Sequence, residues 1–192
     1  MVTIDRPKGH DFPDVSCDNR TVMRELTRGL IARGARRIVH LTSSQDPESP
    51  RLLGHAEALA EAGLEPAVLR PEPSRGWWPD PEQIDPVLDR AWEDDAAPDA
   101  VVCSNDLLAA AVLSWARRRG LQVPRDLQVT GFDGSAASRI FCPELSTVVQ
   151  PYGAMAREAV GAILAAVDGE PLPAGTRELP ATIDWRETTR PA

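Results

Sequence analysis

The sequence predicts an α/β fold with a parallel sheet and helices on both of its faces. Strand-like and helix-like segments alternate along the 192 residues, which is the order that a parallel sheet with crossover helices requires. The run Asp99 to Cys103 is almost continuously apolar, as expected of a strand that is covered on both faces. Polar side chains follow predicted strands at Asp5, at 104–106 and at Asp133. Because open sheets of this kind bind ligands beyond the carboxyl ends of their strands, a ligand site is expected there.

Two helices are predicted among the strands of residues 1–69. Asp18 is a suitable N-cap for the first helix, which carries apolar residues at helical spacing and ends at Gly34. The second helix ends at Gly63. The predicted elements are a strand at 1–4, a helix at 18–34, a strand at 36–42, a helix at about 52–63 and a strand at 67–69.

Prolines shape the segment that follows. Residues 71–86 contain five prolines and are expected to be largely loop, with Pro86 as the first residue of a short helix. Further along, Ser104 is the expected N-cap of a helix whose last turn carries three arginines before Gly120. The remaining predicted elements are strands at 99–103 and 127–130, a helix at about 151–167 and strand-like pieces near 177–185.

The charge balance and the absence of long apolar runs limit the possible partners. A formal net charge of -8 disfavours direct contact with a phosphate backbone over most of the surface. No apolar run approaches the roughly 20 residues that span a bilayer, and the N-terminus does not resemble a signal peptide. A cytoplasmic location without membrane contact is therefore expected.

The cysteines and histidines point to no metal or catalytic centre. Cys17, Cys103 and Cys142 are far apart and lack the spacing of metal or redox sites, so reduced and mostly buried thiols are expected. The three histidines form no catalytic pattern, and the sequence has no phosphate-binding glycine loop or nucleophile elbow. No cofactor is expected.

Seven segments in order resemble the effector-binding domain of the lactose/galactose-repressor (LacI/GalR) family of transcription regulators. Their order and spacing match the family pattern over nearly the whole chain. They are Val2–Pro7, Val15–Asn19, Arg33–Ile38, Arg51–His55, Ala100–Asp106, Val123–Asp133 and Pro143–Pro151. The resemblance implies a periplasmic-binding-protein-like fold of type I, in which a small molecule sits between two lobes joined by crossover strands.

The resemblance also implies how the chain is divided. Residues 1–15 would be the last strand and loop of a partial amino-terminal lobe, 16–148 a complete carboxyl-terminal lobe, 149–175 a helix returning to the first lobe, and 176–192 return strands and tail. The family's helix-turn-helix, the expected route to DNA, has no counterpart in this chain. A homodimer is also expected. The pieces of the partial lobe should expose apolar faces, which another fragment or a second copy covers, unless they pack abnormally.

Seven residues match positions at which the family contacts its ligand. By the resemblance they are Asp5, Cys17, Arg51, Trp78, Asn105, Asp133 and Gln150. Carboxylates accept from vicinal hydroxyls, an arginine donates in a fixed fork, and amides offer both donor and acceptor, so a polyol such as a sugar is the expected ligand. An indole would add a flat surface for a sugar ring. Gly134 stands where the family often has a second acidic residue, which argues against naming a particular sugar.

Most of these residues also have an ordinary structural interpretation. Asp5 and Asp133 are suited to capping turns or helices, and Arg51 to a solvated position at a helix start. Asn105 and Asp106 occupy a helix's first turn, where amide and acidic side chains are favoured. We expect Asn105 to face the cleft and Asp106 to be structural. The pair Trp77 and Trp78 is suited to anchoring a proline-rich loop.

These observations favour a binding domain that controls operator affinity allosterically. Two functions of other classes remain open. Two carboxylates across a cleft would also suit a glycoside-processing enzyme, and the domain would serve equally as a free-standing sugar-binding or dimerisation module.

Overall fold

Two sheets organise the chain in the computed structural model, which describes residues 1–5, 11–72, 80–93 and 97–192. The described strands are β1 (Thr3–Ile4), β2 (Asp14–Cys17), β3 (Ile38–Leu41), β4 (Ala67–Leu69), β5 (Ala100–Cys103), β6 (Gln128–Asp133), β7 (Ser146–Val149), β8 (Thr176–Leu179) and β9 (Thr182–Asp184). The described helices are α1 (Asn19–Ala32), α2 (Pro50–Glu61), α3 (Pro81–Glu93), α4 (Asp106–Arg118) and α5 (Tyr152–Val167).

The smaller sheet has the strand order β1-β2-β8, and the larger sheet has the order β4-β3-β5-β6-β7-β9. Neighbouring strands pair in parallel, except that β7 and β9 are antiparallel. The α/β class and the parallel arrangement predicted from the alternating segments are therefore confirmed.

Helices cover the larger sheet on both faces, as the apolar run at β5 predicts. Val101 and Cys103 of β5 belong to one apolar cluster together with residues of α3 and α4. Ala100 and Val102 belong to a second cluster with residues of α1 and α2. The predicted N-cap of α1 is confirmed, because the Asp18 carboxylate accepts a hydrogen bond from the Thr21 amide at 3.0 Å.

The smaller sheet is covered by α5. Met155 and Ala159 of this helix pack against Val15 of β2. Other apolar residues of α5 are exposed, namely Val160, Ile163, Leu164 and Val167. Within the described residues, no helix combines the length and the apolarity needed to cross a membrane.

The chain passes between the two sheets more than once. β2 of the smaller sheet leads directly into α1, and β8 and β9 belong to different sheets. The expected boundary between residues 15 and 16 therefore falls inside β2, because the crossover comes after Cys17. Residues 176–192 likewise contribute to both sheets. The four-part division itself stays a prediction.

Helix α3 begins earlier than expected. The proline density of 71–86 predicts a loop up to Pro86, but the helix starts at Pro81 and contains Pro86. The Asp80 carbonyl accepts hydrogen bonds from the Gln83 and Ile84 amides at 3.0 Å, and Pro81 already meets the preference for proline in a first turn. Burial of the apolar residues Ile84 and Leu88 offsets the hydrogen bond that Pro86 cannot make.

The start of α4 differs by one residue. Asn105, rather than Ser104, is the N-cap, because its backbone is extended and its side-chain oxygen accepts from the Leu108 amide at 2.8 Å. The Ser104 hydroxyl instead hydrogen-bonds His40 at 2.8 Å. The expectation of mostly buried free thiols holds for Cys17 and Cys103.

Two histidines are buried between the larger sheet and its first two helices. The rings of His40 on β3 and His55 on α2 meet edge to face, with centroids 5.1 Å apart. Burial lowers the pKa of His55 to about 4, and burial together with His55 and Arg51 holds the pKa of His40 well below its usual value. Both rings are therefore neutral near pH 7.

We predict that acid destabilises the protein through this pair. Between about pH 6.5 and pH 4 the unfolded chain binds protons at the two histidines while the folded chain does not, so the free energy of unfolding falls as pH falls. The contribution of His55 is on the order of 3 kcal/mol, from about 1.36 kcal/mol per pKa unit. Denaturant unfolding at pH 7 and pH 5 should show a smaller loss in His55→Phe than in the wild type. An equal loss in both proteins would contradict this assignment.

Candidate functional site

Arg51 is the centre of the candidate site. It lies at the start of α2, and its guanidinium donates to three groups: Asn19 Oδ1 at 2.7 Å, the Ser104 carbonyl at 2.6 Å and Asp5 Oδ2 at 3.4 Å. The Arg51 guanidinium carbon also lies 3.7 Å from the centre of the Phe132 ring. With its side chain only 19% exposed, Arg51 is a fixed cationic fork rather than a solvated helix-start arginine.

Asp5 reaches this centre from the smaller sheet. Asp5 lies just after β1 and has a φ of 49°, which is a left-handed conformation that is uncommon for residues other than glycine. One carboxylate oxygen accepts from the Ser16 hydroxyl at 2.9 Å, and the other faces Arg51. Asn19 completes the link, because its amide donates to the Ser16 hydroxyl at 3.1 Å. The Asp5 carboxylate therefore bonds to side chains of β2 and α2.

A polar cavity of about 600 Å³ opens beside Arg51. Residues of both sheets and of the start of α2 line it, among them Asp5, Ser16, Asn19, Thr42, Arg51 and Ser104. Carboxylate, hydroxyl, amide and guanidinium groups thus face one space. Such a set matches the hydroxyl groups of a polyol.

Asp133 and Gln150 form a second polar group at the end of β6 and β7. Gln150 Nε2 donates to Asp133 Oδ1 at 3.0 Å and to the Tyr152 hydroxyl at 3.1 Å. The other amide atom, Gln150 Oε1, is buried and has no hydrogen-bond partner among the described residues. It is a free acceptor in a nearly closed environment, which is costly unless a further donor satisfies it.

The second group is electrostatically linked to the first, although Asp133 and Gln150 do not line the 600 Å³ cavity. The pKa of Asp133 is raised above its usual value, mainly because the carboxyl group is buried. The Gln150 hydrogen bond and the Arg51 charge oppose this shift. Burial and then the charge of Asp133 raise the pKa of Tyr152. Asp133 also has a positive φ of 122°, so the backbone is held in an unusual conformation at this point.

Asn105 and Asp106 have different roles at the start of α4. Asp106 is buried and accepts from the Ser135 amide at 2.7 Å and from the Thr147 hydroxyl at 2.5 Å. These bonds agree with the structural role expected of Asp106. The side-chain oxygen of Asn105 caps α4. Its amide nitrogen is then the group that Asn105 can offer to a ligand.

Cys17 is not among the described residues that line the cavity. Cys17 is fully buried in the apolar cluster beneath α1. Burial, followed by the charge of Asp5, raises the pKa of its thiol to about 12, so it is an inert core residue. Trp78 lies outside the described residues.

Sequence reasoning missed three polar residues of this region, namely Ser16, Asn19 and Tyr152, whereas Ser104 belongs to the polar group at 104–106 that was expected at a strand end. Ser16 and Asn19 lie within a segment that carries the family resemblance, but nothing local shows that Asn19 meets an arginine 32 positions away. Tyr152 directly follows the last of these segments, and only its contact with Gln150 in the structure identifies it.

The two sheets, the crossings between them and a polar cavity where they meet define a class: a ligand-binding domain of the periplasmic-binding-protein type. Comparison with known proteins agrees. The profile of the periplasmic binding protein-like domain family matches residues 27–189. The chain belongs to this family.

Similar proteins are transcription regulators. The ribose operon repressor of Bacillus subtilis (strain 168) is 33% identical over 184 residues, which are 93% of this chain and 54% of the repressor. A LacI family transcriptional regulator from Enterococcus faecium, solved with bound ribose, has a TM-score of 0.84 at 19% identity and shares the fold over 100% of this chain and 70% of its own. A regulator solved as a CelR–cellobiose complex has a TM-score of 0.82 at 27% identity, with 97% of this chain and 58% of that chain covered.

These matches confirm the resemblance to the lactose/galactose-repressor family. The Bacillus subtilis relative is named as a repressor. The chain spans about half the length of that relative, 54%.

Proposed function

We propose that this chain binds a sugar in the cleft around Arg51 and that, as the effector-binding part of a cytoplasmic transcription regulator, it controls operator affinity. The observation that carries the proposal is the Arg51 fork, held by groups from both sheets beside a polar cavity of about 600 Å³. The relatives support it, since one is named for the ribose operon and one was solved with cellobiose. DNA contact would come from a helix-turn-helix outside this chain.

The proposed contacts follow from the hydrogen-bonding capacity of each group. Asp5 and Asp133 accept from sugar hydroxyls, Arg51 donates to them, and the amides of Asn105 and Gln150 supply the remaining donors and acceptors. Gln150 Oε1 has no partner in the described part of the chain, and a ligand hydroxyl would satisfy this acceptor. Cys17 is excluded from the proposed contact set by its burial, and Trp78 stays a prediction from the sequence.

The location of the contacts explains how a ligand would act at a distance. Asp5 follows a strand of the smaller sheet. In contrast, Arg51 lies in the first turn of α2, which packs on the larger sheet, and Asp133 ends β6 of that sheet. A ligand that contacts residues of both sheets binds more tightly when the two sheets are close together. It shifts the equilibrium only by that difference in affinity, typically ~1–3 kcal/mol.

Binding without chemical change is the expected result of a direct test. Isothermal titration of the chain with D-ribose and with cellobiose should give saturable binding of at least one sugar, and chromatography should recover that sugar unaltered. If product forms and Asp133→Asn abolishes its formation, the domain is a glycoside-processing enzyme instead. If neither sugar binds, the proposed ligand class is wrong.

We also propose that the chain forms a homodimer through the surface around Ile140. This side chain is 83% exposed, and a groove of about 490 Å³ that includes Leu113, Leu121 and Phe141 runs along the same part of the fold. Apolar surface of this kind favours association. Ile140→Asp should therefore shift the sedimentation coefficient from dimer to monomer. The matched variant Val167→Asp, at a 78% exposed position on α5, should leave the dimer intact, and the reverse pattern would place the interface on α5.

A further inference from the structure

A buried chain of polar side chains runs from α1 to the wall of the cavity. The Thr27 hydroxyl lies 3.0 Å from the Met23 carbonyl and 3.0 Å from His55 Nδ1. The His55 ring meets the His40 ring edge to face, and His40 Nε2 lies 2.8 Å from the Ser104 hydroxyl. Thr27 and both histidines are buried, whereas Ser104 lines the cavity.

The hydrogen bond from the Thr27 hydroxyl to the Met23 carbonyl sets the direction of the hydrogens along this chain. The Thr27 hydroxyl has a single hydrogen, which it donates to the Met23 carbonyl, so its oxygen accepts from His55 Nδ1–H. A neutral imidazole carries only one N–H. His55 Nε2 therefore holds a lone pair, and it has no hydrogen-bond partner among the described residues.

The tautomer of His40 follows from the same constraint. His40 Nδ1 is the second ring nitrogen of the pair that lacks a partner in the described part of the chain. A lone pair there would leave two buried acceptors unsatisfied in rings that meet edge to face, whereas an N–H there is attracted by the lone pair of His55. His40 then carries its hydrogen on Nδ1, and its Nε2 accepts from the Ser104 hydroxyl.

We propose that Ser104 is a specificity-determining ligand contact and that His40 is its positioning residue. The inference rests on the proposed sugar-binding function. Because the only hydroxyl hydrogen of Ser104 is committed to His40, the serine oxygen faces the cavity as an acceptor and selects a ligand that offers a hydroxyl hydrogen there. The Ser104 carbonyl already accepts from Arg51 at 2.6 Å, so the same residue also orients the guanidinium fork.

The tautomers can be measured without any ligand. Long-range ¹⁵N–¹H correlation spectra of the chain should show His40 and His55 both in the Nδ1–H form. His55→Phe assigns the signals by removing one set. An Nε2–H form of His40 would overturn the inference, because the Ser104 hydroxyl would then be free to donate.

Binding measurements test the role of Ser104. For whichever of D-ribose and cellobiose binds the wild type, Ser104→Ala should weaken the affinity about 3- to 10-fold, the usual range for one hydrogen bond. His40→Leu should weaken it to a similar extent, and the double variant should be no worse than either single one, because both remove the same contact. Thr130→Val is the control, since Thr130 is buried on the same sheet and its hydroxyl has no hydrogen-bond partner among the described residues, Ser104 included. Its sugar affinity should be unchanged.

The outcomes separate this inference from the proposed function. If the wild type binds a sugar and Ser104→Ala binds it equally well, the inference is wrong while the proposed function stands. Additive losses in the double variant would also overturn it, since His40 would then act independently of Ser104. If the wild type binds neither sugar, the proposed function fails, and the ligand role of Ser104 fails with it even when the tautomers are as expected.

Discussion

Replacing Arg51 with alanine is expected to lower sugar affinity about 100-fold. The variant loses a charge-assisted hydrogen bond to the ligand, worth ~1.5–3 kcal/mol, and a factor of 100 corresponds to ~2.7 kcal/mol. It also leaves the Asp5 carboxylate and the Ser104 carbonyl without their common donor, so the cavity becomes more negative as it loses its cation. Isothermal titration with the sugar that binds the wild type measures the loss.

Two further variants make the Arg51 result specific. Arg51→Lys keeps the charge but not the planar fork, so we expect its sugar affinity to lie between those of the wild type and Arg51→Ala. Arg20→Ala removes an exposed arginine of α1 that pairs with Glu57 and should leave affinity unchanged. If Arg51→Ala keeps the wild-type affinity, Arg51 only holds structure together and the site assignment is wrong.

Local sequence patterns predict an element correctly where neighbouring residues alone determine its structure. The Asp18 cap and the strand at β5 are confirmed because a capping carboxylate and a continuous apolar run each favour one arrangement. The start of α4 was misplaced because Ser104 and Asn105 are both good caps, and only the contact of Ser104 with His40 on β3 decides between them. The start of α3 was misplaced for a similar reason, since Pro81 and Pro86 both suit a first turn.

The site was less predictable than the fold because its contacts join distant parts of the chain. Asp5, Arg51 and Asp133 were identified from the family resemblance, and the structure brings the first two into contact. No periodicity reveals that Arg51 bonds to Asn19, because the two residues approach one another only through the packing of α1 on α2. The burial of Cys17 was equally hidden, since it depends on which face of β2 the helix covers.

The close packing of α1 on α2 leads to the prediction with the largest effect on stability. Gly54 of α2 lies against the backbone of α1, and a Cβ atom added there would come 2.1 Å from the Arg20 carbonyl oxygen and 3.1 Å from the Arg24 amide nitrogen. Backbone atoms cannot rotate away as a side chain can. A larger residue at position 54 must therefore push the two helices apart.

Gly54→Ala is expected to lower the free energy of unfolding by about 3 kcal/mol, the upper end of the usual cost of overpacking. For a chain of this size that corresponds to a fall in Tm of roughly 6–12 °C. The separation of the helices should also lengthen the bond between Arg51 and Asn19, so sugar affinity should fall together with stability.

Gly161→Ala is the matched control, since a Cβ at that position on α5 meets nothing within 4 Å and alanine is favoured over glycine in a helix by ~0.5–1 kcal/mol. Thermal unfolding should thus shift in opposite directions for the two variants, and a Gly54→Ala protein as stable as the wild type would show that α1 and α2 are not in backbone contact.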